Sequence, residues 1–352
     1  MSNNTPIRPK SPDLIKKILQ LVIFLGLGIF FIWLSVKDLT PEDIEIIKSS
    51  AAGIINSKSI LFISISMVCG IFAHYFRALR NILLIDPLGY RVRKTTAFYS
   101  VMTCYLANLA IPRLGEVLRC TFLQRYDKIP FQKSIGTVVV ERAFDFLIFL
   151  LLFILIVLFN RGLISELEIS KQFVEWINDK WSLLWSLKYI VLCVIIGFVL
   201  IFLFFNNSSK KQFNKISEFI KRMMKGLWQG LISIKDLKHP YWFIIYTVAI
   251  WVFYFFGTYS CMYAFDFLQH LGPMPAFIVL VVGSIGFMIA QGGLGAYPLF
   301  VAGILVLYGV NYAQGLAAGW IGWCAQTLMI LIVGVTVLIL ASFLKVEDRK
   351  TN

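Results

Sequence analysis

Charge is scarce in this sequence, and acid is scarcest. Of 352 residues only 15% are Asp, Glu, Lys or Arg, with 19 acids against 33 basic residues and 3 histidines. Hydrophobic residues make up 59% and mean hydropathy is +0.78, too apolar for an ordinary water-soluble domain, so lipid is the solvent. The six cysteines (69, 104, 120, 193, 261, 324) lie in or beside apolar segments at no metal-like spacing, which indicates neither a zinc site nor a disulfide framework. His74, His239 and His270 are scattered without ligand spacing. Also missing are a nucleophile elbow, paired carboxylates on a soluble module, a P-loop and a soluble stretch large enough for a nucleotide. No catalytic residue, metal or cofactor is therefore expected.

What is present is a series of apolar runs, at 15–36, 60–76, 134–159, 189–205, 241–265 and 313–341, each near the length of a bilayer-spanning helix. The first is too long for a signal-peptide core and its exit, "WLSVKDLTPED", has no small-residue cleavage pattern, so an uncleaved first helix is expected. With the amino terminus inside, 25 of the 33 basic residues fall on that side, 7 fall opposite, and Arg142 alone lies within a span. The positive-inside rule then predicts a multi-pass protein of the cytoplasmic membrane with both termini cytoplasmic. Residues 207–240 space Phe213, Ile216, Phe219, Ile220, Met223 and Leu227 at helical intervals between lysines, as expected of a segment lying on the inner leaflet. Nucleic acid is not expected, because no binding motif or aromatic platform accompanies the charge. Trp176, Trp181 and Trp185 suit an external interfacial segment.

Two apolar segments do not span. Residues 95–126 begin after the basic "YRVRKTT" and return through Pro112 to the basic stretch 113–133, so both ends lie inside and the segment is a re-entrant hairpin broken near Pro112 and Gly115. Residues 275–310 are interrupted by "QGGLGAYP", where Gln291, Gly292, Gly293 and Gly295 mark a second break; parity makes this a hairpin entering from the other face. Broken helices at membrane depth are tolerated only where they are buried in protein or line a cavity. Two opposed hairpins in one chain are also the plan of an inverted repeat with a site near the midplane. The expected architecture is an all-α integral membrane protein, one transmembrane domain over 1–352, with about six full transmembrane helices and two opposed hairpins.

The charged residues of the first hairpin suggest its ligand. Arg113, Glu116 and Arg119 are spaced by three, so a helix after Pro112 aligns them, with Glu116 able to pair with either arginine. An arginine fork and a helix amino terminus both suit phosphate. In the run at 134–159, Glu141 and Asp145 stand one turn apart with Arg142 between them; Glu141 either faces Arg113 or Arg119 or sits at the inner interface, and a proton relay is a further role. Asn108 and Gln291 precede the two breaks and can satisfy backbone groups or donate to a headgroup.

The run Asn108, Pro112, Gly115, Glu116, Arg119, then Glu141-Arg142, with "GGLG" at 292–295, resembles the transmembrane domain of lysylphosphatidylglycerol synthase, a flippase-like family, over residues 15–341. The resemblance implies translocation of a lipid, in larger members joined to a soluble domain that makes an aminoacylated lipid. No such domain follows here, so the resemblance points to transport without aminoacyl transfer. The second motif departs from the family pattern, which has a proline before the glycines and an acid shortly after; this chain has Gln291 and "AYPLF". The expected function is thus a flippase or facilitator for a phosphate-bearing lipid, a phospholipid or a polyprenyl-phosphate-linked intermediate, bound by Asn108, Arg113, Glu116, Arg119, Glu141, Arg142 and Asp145. Two alternatives remain: a membrane-embedded enzyme or lipid-binding subunit working with a separate lipid-modifying enzyme, and a transporter of a small soluble anion.

Overall fold

The computed structural model describes residues 26–111, 113–159 and 237–344. Every regular element among them is a helix: α1 (Gly26–Val36), α2 (Pro41–Gly53), α3 (Ser57–Ile85), α4 (Lys94–Ala110), α5 (Leu114–Asp127), α6 (Phe131–Phe159), α7 (Pro240–Tyr263), α8 (Pro273–Ile289), α9 (Ala296–Val306) and α10 (Tyr312–Ala341). Four of these, α3, α6, α7 and α10, are long and apolar enough to cross a bilayer, and the chain is an all-α integral membrane protein. They answer to the runs at 60–76, 134–159, 241–265 and 313–341. Of the run at 15–36 the described part is α1. The run at 189–205, the three external tryptophans and all but the last four residues of 207–240 lie outside the described residues.

One expectation needs correction. The apolar run ends at residue 76, which by hydropathy alone places Arg77 and Arg80 in the following loop, among the 25 basic residues of the inner side. The helix continues to Ile85 and both guanidinium groups are buried in it. The backbone bonds of α3 carry on beyond the apolar window because neighbouring helices cover this turn, so hydropathy alone stops too early.

Among the described residues, those up to Val138 and from Leu237 form one compact unit, while 139–159 belong to a second. Within the first unit α3 and α7 run antiparallel. Ser59 Oγ donates to the Ala264 carbonyl at one end (2.6 Å), Ser260 Oγ to the Phe62 carbonyl (2.8 Å), and near the other end Arg80 Nη1 donates to Thr247 Oγ1 (3.3 Å). Phe253 stacks on Phe72 and Phe76 between these bonds. The outer face of α7 leaves Ile244, Ile245, Val248, Val252 and Phe256 exposed at helical spacing, a surface suited to lipid tails. Outside the apolar helices, Thr40 and Asp43 form a capping box at the start of α2. The Thr40 backbone N–H and then its hydroxyl hold the Asp43 carboxyl below its ordinary value.

The remaining helices of this unit pair into two hairpins too short to span. α4 and α5 have 17 and 14 residues, α8 and α9 have 17 and 11, so each leg is about 17 to 26 Å long at 1.5 Å per residue, short of the roughly 30 Å hydrocarbon core. The base of the first hairpin is fixed at the carboxyl end of α3, where Ile85 packs on Leu123 and Ile129. The carboxyl end of α10 joins it, since Tyr126 OH donates to the Ala341 carbonyl (3.1 Å). At that base Asp127 is buried and accepts from Arg93 Nε (2.9 Å) and from the Arg93 backbone N–H (3.2 Å), holding the two legs together. The second hairpin has its base at the opposite end, where Phe265, Leu268, Val279, Leu305 and Val310 form a core beside the carboxyl end of α7. The two hairpins therefore enter the bundle from opposite ends.

Candidate functional site

The site grows from the first break. Ile111 is extended and Arg113 adopts φ +63°, a left-handed conformation that turns the chain into α5, whose first helical residue is Leu114. Pro112 lies outside the described residues. Arg113 consequently stands ahead of the helix and exposed, rather than sharing its face with Glu116 and Arg119 as the spacing of three predicts. Arg119, one and a half turns in, is only 1% exposed. The two arginines thus occupy different environments: one at the surface of the tip, one in the interior.

Across the break the legs of the first hairpin are joined by Asn108. Its Oδ1 accepts the Gly115 backbone N–H (2.8 Å), capping α5 from the preceding helix, and its Nδ2 donates to Glu116 Oε1 (3.3 Å). The bond from Gly115 fixes which end of the amide is which. Gly115 itself must be glycine, because a Cβ there would run into the Cys104 carbonyl and Asn108 Oδ1. Glu116 makes no ion pair with Arg113 or Arg119 among the described residues; its other oxygen, Oε2, is buried and meets no donor among them. The expected Glu116–arginine pairing is thus replaced by an amide contact across the hairpin.

The second break is built on positive backbone angles. Gly292, Gly293 and Gly295 have φ of +59°, +75° and +71°, which side-chain-bearing residues rarely adopt, and the chain reverses there between α8 and α9. Gln291 reaches from this tip to the other: its Nε2 donates to the Leu109 carbonyl (3.1 Å) and, more weakly, to that of Asn108 (3.5 Å). Trp323 on α10 donates from Nε1 to the Gly292 carbonyl (2.7 Å), and Gly334 faces Leu106. Both contacts flank the middle of α10. The tips of the two hairpins therefore meet about halfway along the bundle, and the helix carboxyl ends of α4 and α8 converge there.

Beside this junction lies a polar cluster that the sequence did not single out. His74, Arg77, Arg80 and Asn81 on α3 are all buried. The His74 ring lies 4.2 Å from that of Tyr105, Arg77 Nη2 donates to Tyr254 OH (3.4 Å) and lies over the Tyr105 ring, and Asn81 Nδ2 donates to Thr137 Oγ1 (3.2 Å). The available signal was the spacing of 74, 77 and 81, which puts three polar residues on one helical face. In the second unit, Glu141 on α6 is fully buried, Arg142 is exposed and Asp145 is half-buried. Five described cysteines are free thiols, and no group of three His, Cys, Asp or Glu residues suited to a metal occurs among the described residues.

A helical membrane bundle in which two broken hairpins meet from opposite ends, with buried charge at the meeting point, defines a multi-pass membrane protein organised around an intramembrane polar junction. Within that class the family is specific: residues 15–334 match the model of the lysylphosphatidylglycerol synthase TM region, and the chain belongs to that family, a membrane domain associated with lipid handling. Neither a curated protein nor a solved structure matches the chain.

Proposed function

We propose that the chain moves a phosphate-bearing lipid across the cytoplasmic membrane as a flippase or facilitator, with both termini cytoplasmic. The observation that carries this reading is the meeting of the hairpin tips at mid-bundle with Arg119 buried one and a half turns into a half-length helix. A guanidinium held at such depth is costly, and in membrane proteins charges of this kind mark substrate and ion pathways. Its planar donor set also matches a phosphate bidentately. Arg113, exposed at the tip, is suited to meet the headgroup first, and Asn108 and Glu116 position the turn that presents both arginines. Membership of a family associated with lipid handling supports lipid over a small soluble anion as the cargo. The orientation rests on the basic-residue asymmetry, which survives the transfer of Arg77 and Arg80 from loop to helix.

The test is reconstitution of the purified protein in liposomes with a panel of labelled lipids, phosphatidylglycerol and a polyprenyl phosphate beside an uncharged glycolipid, each compared with protein-free liposomes. Movement restricted to phosphate-bearing members is expected. Movement of all lipids alike would remove the phosphate claim. Conversion of a lipid, or co-purification with a soluble transferase and no movement, would instead establish the enzyme-subunit reading.

A further inference from the structure

Charge is unevenly placed in the interior of the first unit. Arg77, Arg80 and Arg119 are buried there, while its one buried carboxylate, Asp127, is bound to Arg93 at the hairpin base. Glu116 accepts from Asn108, not from an arginine, and the one other buried acid among the described residues is Glu141 of the second unit. Three buried guanidinium groups therefore outnumber the buried acids available to balance them, and an excess of this kind calls for an anion.

Donors gather along one flank of the seam between α3 and α7. Arg80 Nη1 donates to Thr247 Oγ1 (3.3 Å) and, one turn along, Arg77 Nη2 donates to Tyr254 OH (3.4 Å). Trp251 stands between Thr247 and Tyr254 at helical spacing from both, so it shares their face of α7. Its ring meets that of Tyr254 edge to face at 6.3 Å, and its Nε1 is buried with no acceptor among the described residues. The Tyr254 hydroxyl accepts from Arg77, so its own proton is left to give. On α4, Tyr105 closes the same spot: Arg77 lies 5.8 Å from its ring, and the His74 ring lies 4.2 Å from Tyr105 and 6.4 Å from Tyr254. Tyr254 is thus the common neighbour of Arg77, Trp251 and His74. The opposite flank of the seam is apolar, filled by Phe253 stacked on Phe72 and Phe76.

We propose that Arg77, Tyr254 and Trp251 form a second oxyanion site, which takes the lipid phosphate beside the station at Arg119. The guanidinium supplies the charge, and the phenol and the indole each add one hydrogen bond, a donor set suited to the several oxygens of a phosphate. The site rests on the lipid-phosphate reading for the source of its anion. Tyr105 and Asn108 lie one turn apart on α4, the first against Arg77 and the second bonded to Glu116 on α5, so the two stations neighbour one helix. The phosphate is received by one as it leaves the other.

The readout is thermal unfolding of the purified protein in detergent, titrated with dihexanoyl phosphatidylglycerol, inorganic phosphate or dihexanoylglycerol at constant ionic strength and pH. A ligand that binds only the folded state raises the melting temperature, and the concentration dependence of the rise reads affinity. The titrations are made in Arg119→Ala, where the first station is gone, or in Arg119→Met if that variant does not fold. A rise with phosphatidylglycerol and none with dihexanoylglycerol is expected; a rise with inorganic phosphate too would add the free anion as a source. Trp251→Phe and Tyr254→Phe each keep a ring and remove one donor, and in that background each should weaken binding about tenfold. No rise with either phosphate probe, an equal rise with dihexanoylglycerol, or undiminished affinity in both ring variants would overturn the site. Binding that the ring variants lose, with no lipid movement by wild type, would leave the site standing and remove the transport reading. Lipid movement with undiminished affinity in both variants would do the reverse.

Discussion

At Gly115 the first hairpin has no room for a side chain, because its neighbours there are the Cys104 carbonyl and the Asn108 amide. Overpacking typically costs about 1–3 kcal/mol, and since the obstruction is backbone, Gly115→Ala should destabilise by at least that much. Gly136 on α6 has open space around it, so Gly136→Ala should be neutral or stabilise by up to about 1 kcal/mol. Paired melting curves of the two variants check this; equal effects would contradict the close approach of the legs. The break at Gly115 was legible in the sequence because glycine and proline act locally. The Asn108–Glu116 bond was not, since its partners become neighbours only when the hairpin closes. Regular spacing misled at Arg113: the interval of three presumes continuous helix, and φ +63° interrupts it.

Among the elements, the first hairpin depends on its base as much as on its tip. Asp127 is 4% exposed and binds both the side chain and the backbone of Arg93. Arg93 keeps 36% of its side chain exposed and can turn to water, so losing Asp127 costs about the 1.5–3 kcal/mol of a hydrogen bond to a charged group, and Asp127→Ala should free the legs and bring hydrogen exchange to α4 and α5 before the α3–α7 pair. Simultaneous exchange in all four helices would contradict it. The meeting of the tips is open to a direct check: cysteines at Leu109 and Gln291, with the native cysteines replaced, should be joined by a short bifunctional thiol reagent, and cysteines at Gln291 and Leu88 should not. Both hairpins were legible from parity, which needs only charge and length. The depth of α3 was not, because hydropathy ends where Arg77 begins although buried contacts continue to Ile85.

For the molecule as a whole, composition dictated a membrane protein, and the interruption of apolar runs by glycine, proline and charge dictated hairpins. What composition could not supply was the meeting of those hairpins, where a glutamine amide reaches two carbonyls across more than 180 residues and Gly292 lies close to Leu109. Passage of a lipid phosphate through such a junction requires a cation in the interior, and Arg119 is the buried one on the hairpin itself. The most direct measurement is the rate of transbilayer movement of a labelled phosphate-bearing lipid in liposomes holding wild type, Arg119→Lys or Arg119→Ala, each confirmed folded by its melting curve. The account predicts movement by wild type, slower movement by Arg119→Lys, which keeps charge but loses the bidentate fork, and none by Arg119→Ala. Wild-type rates in a folded Arg119→Ala protein would contradict it.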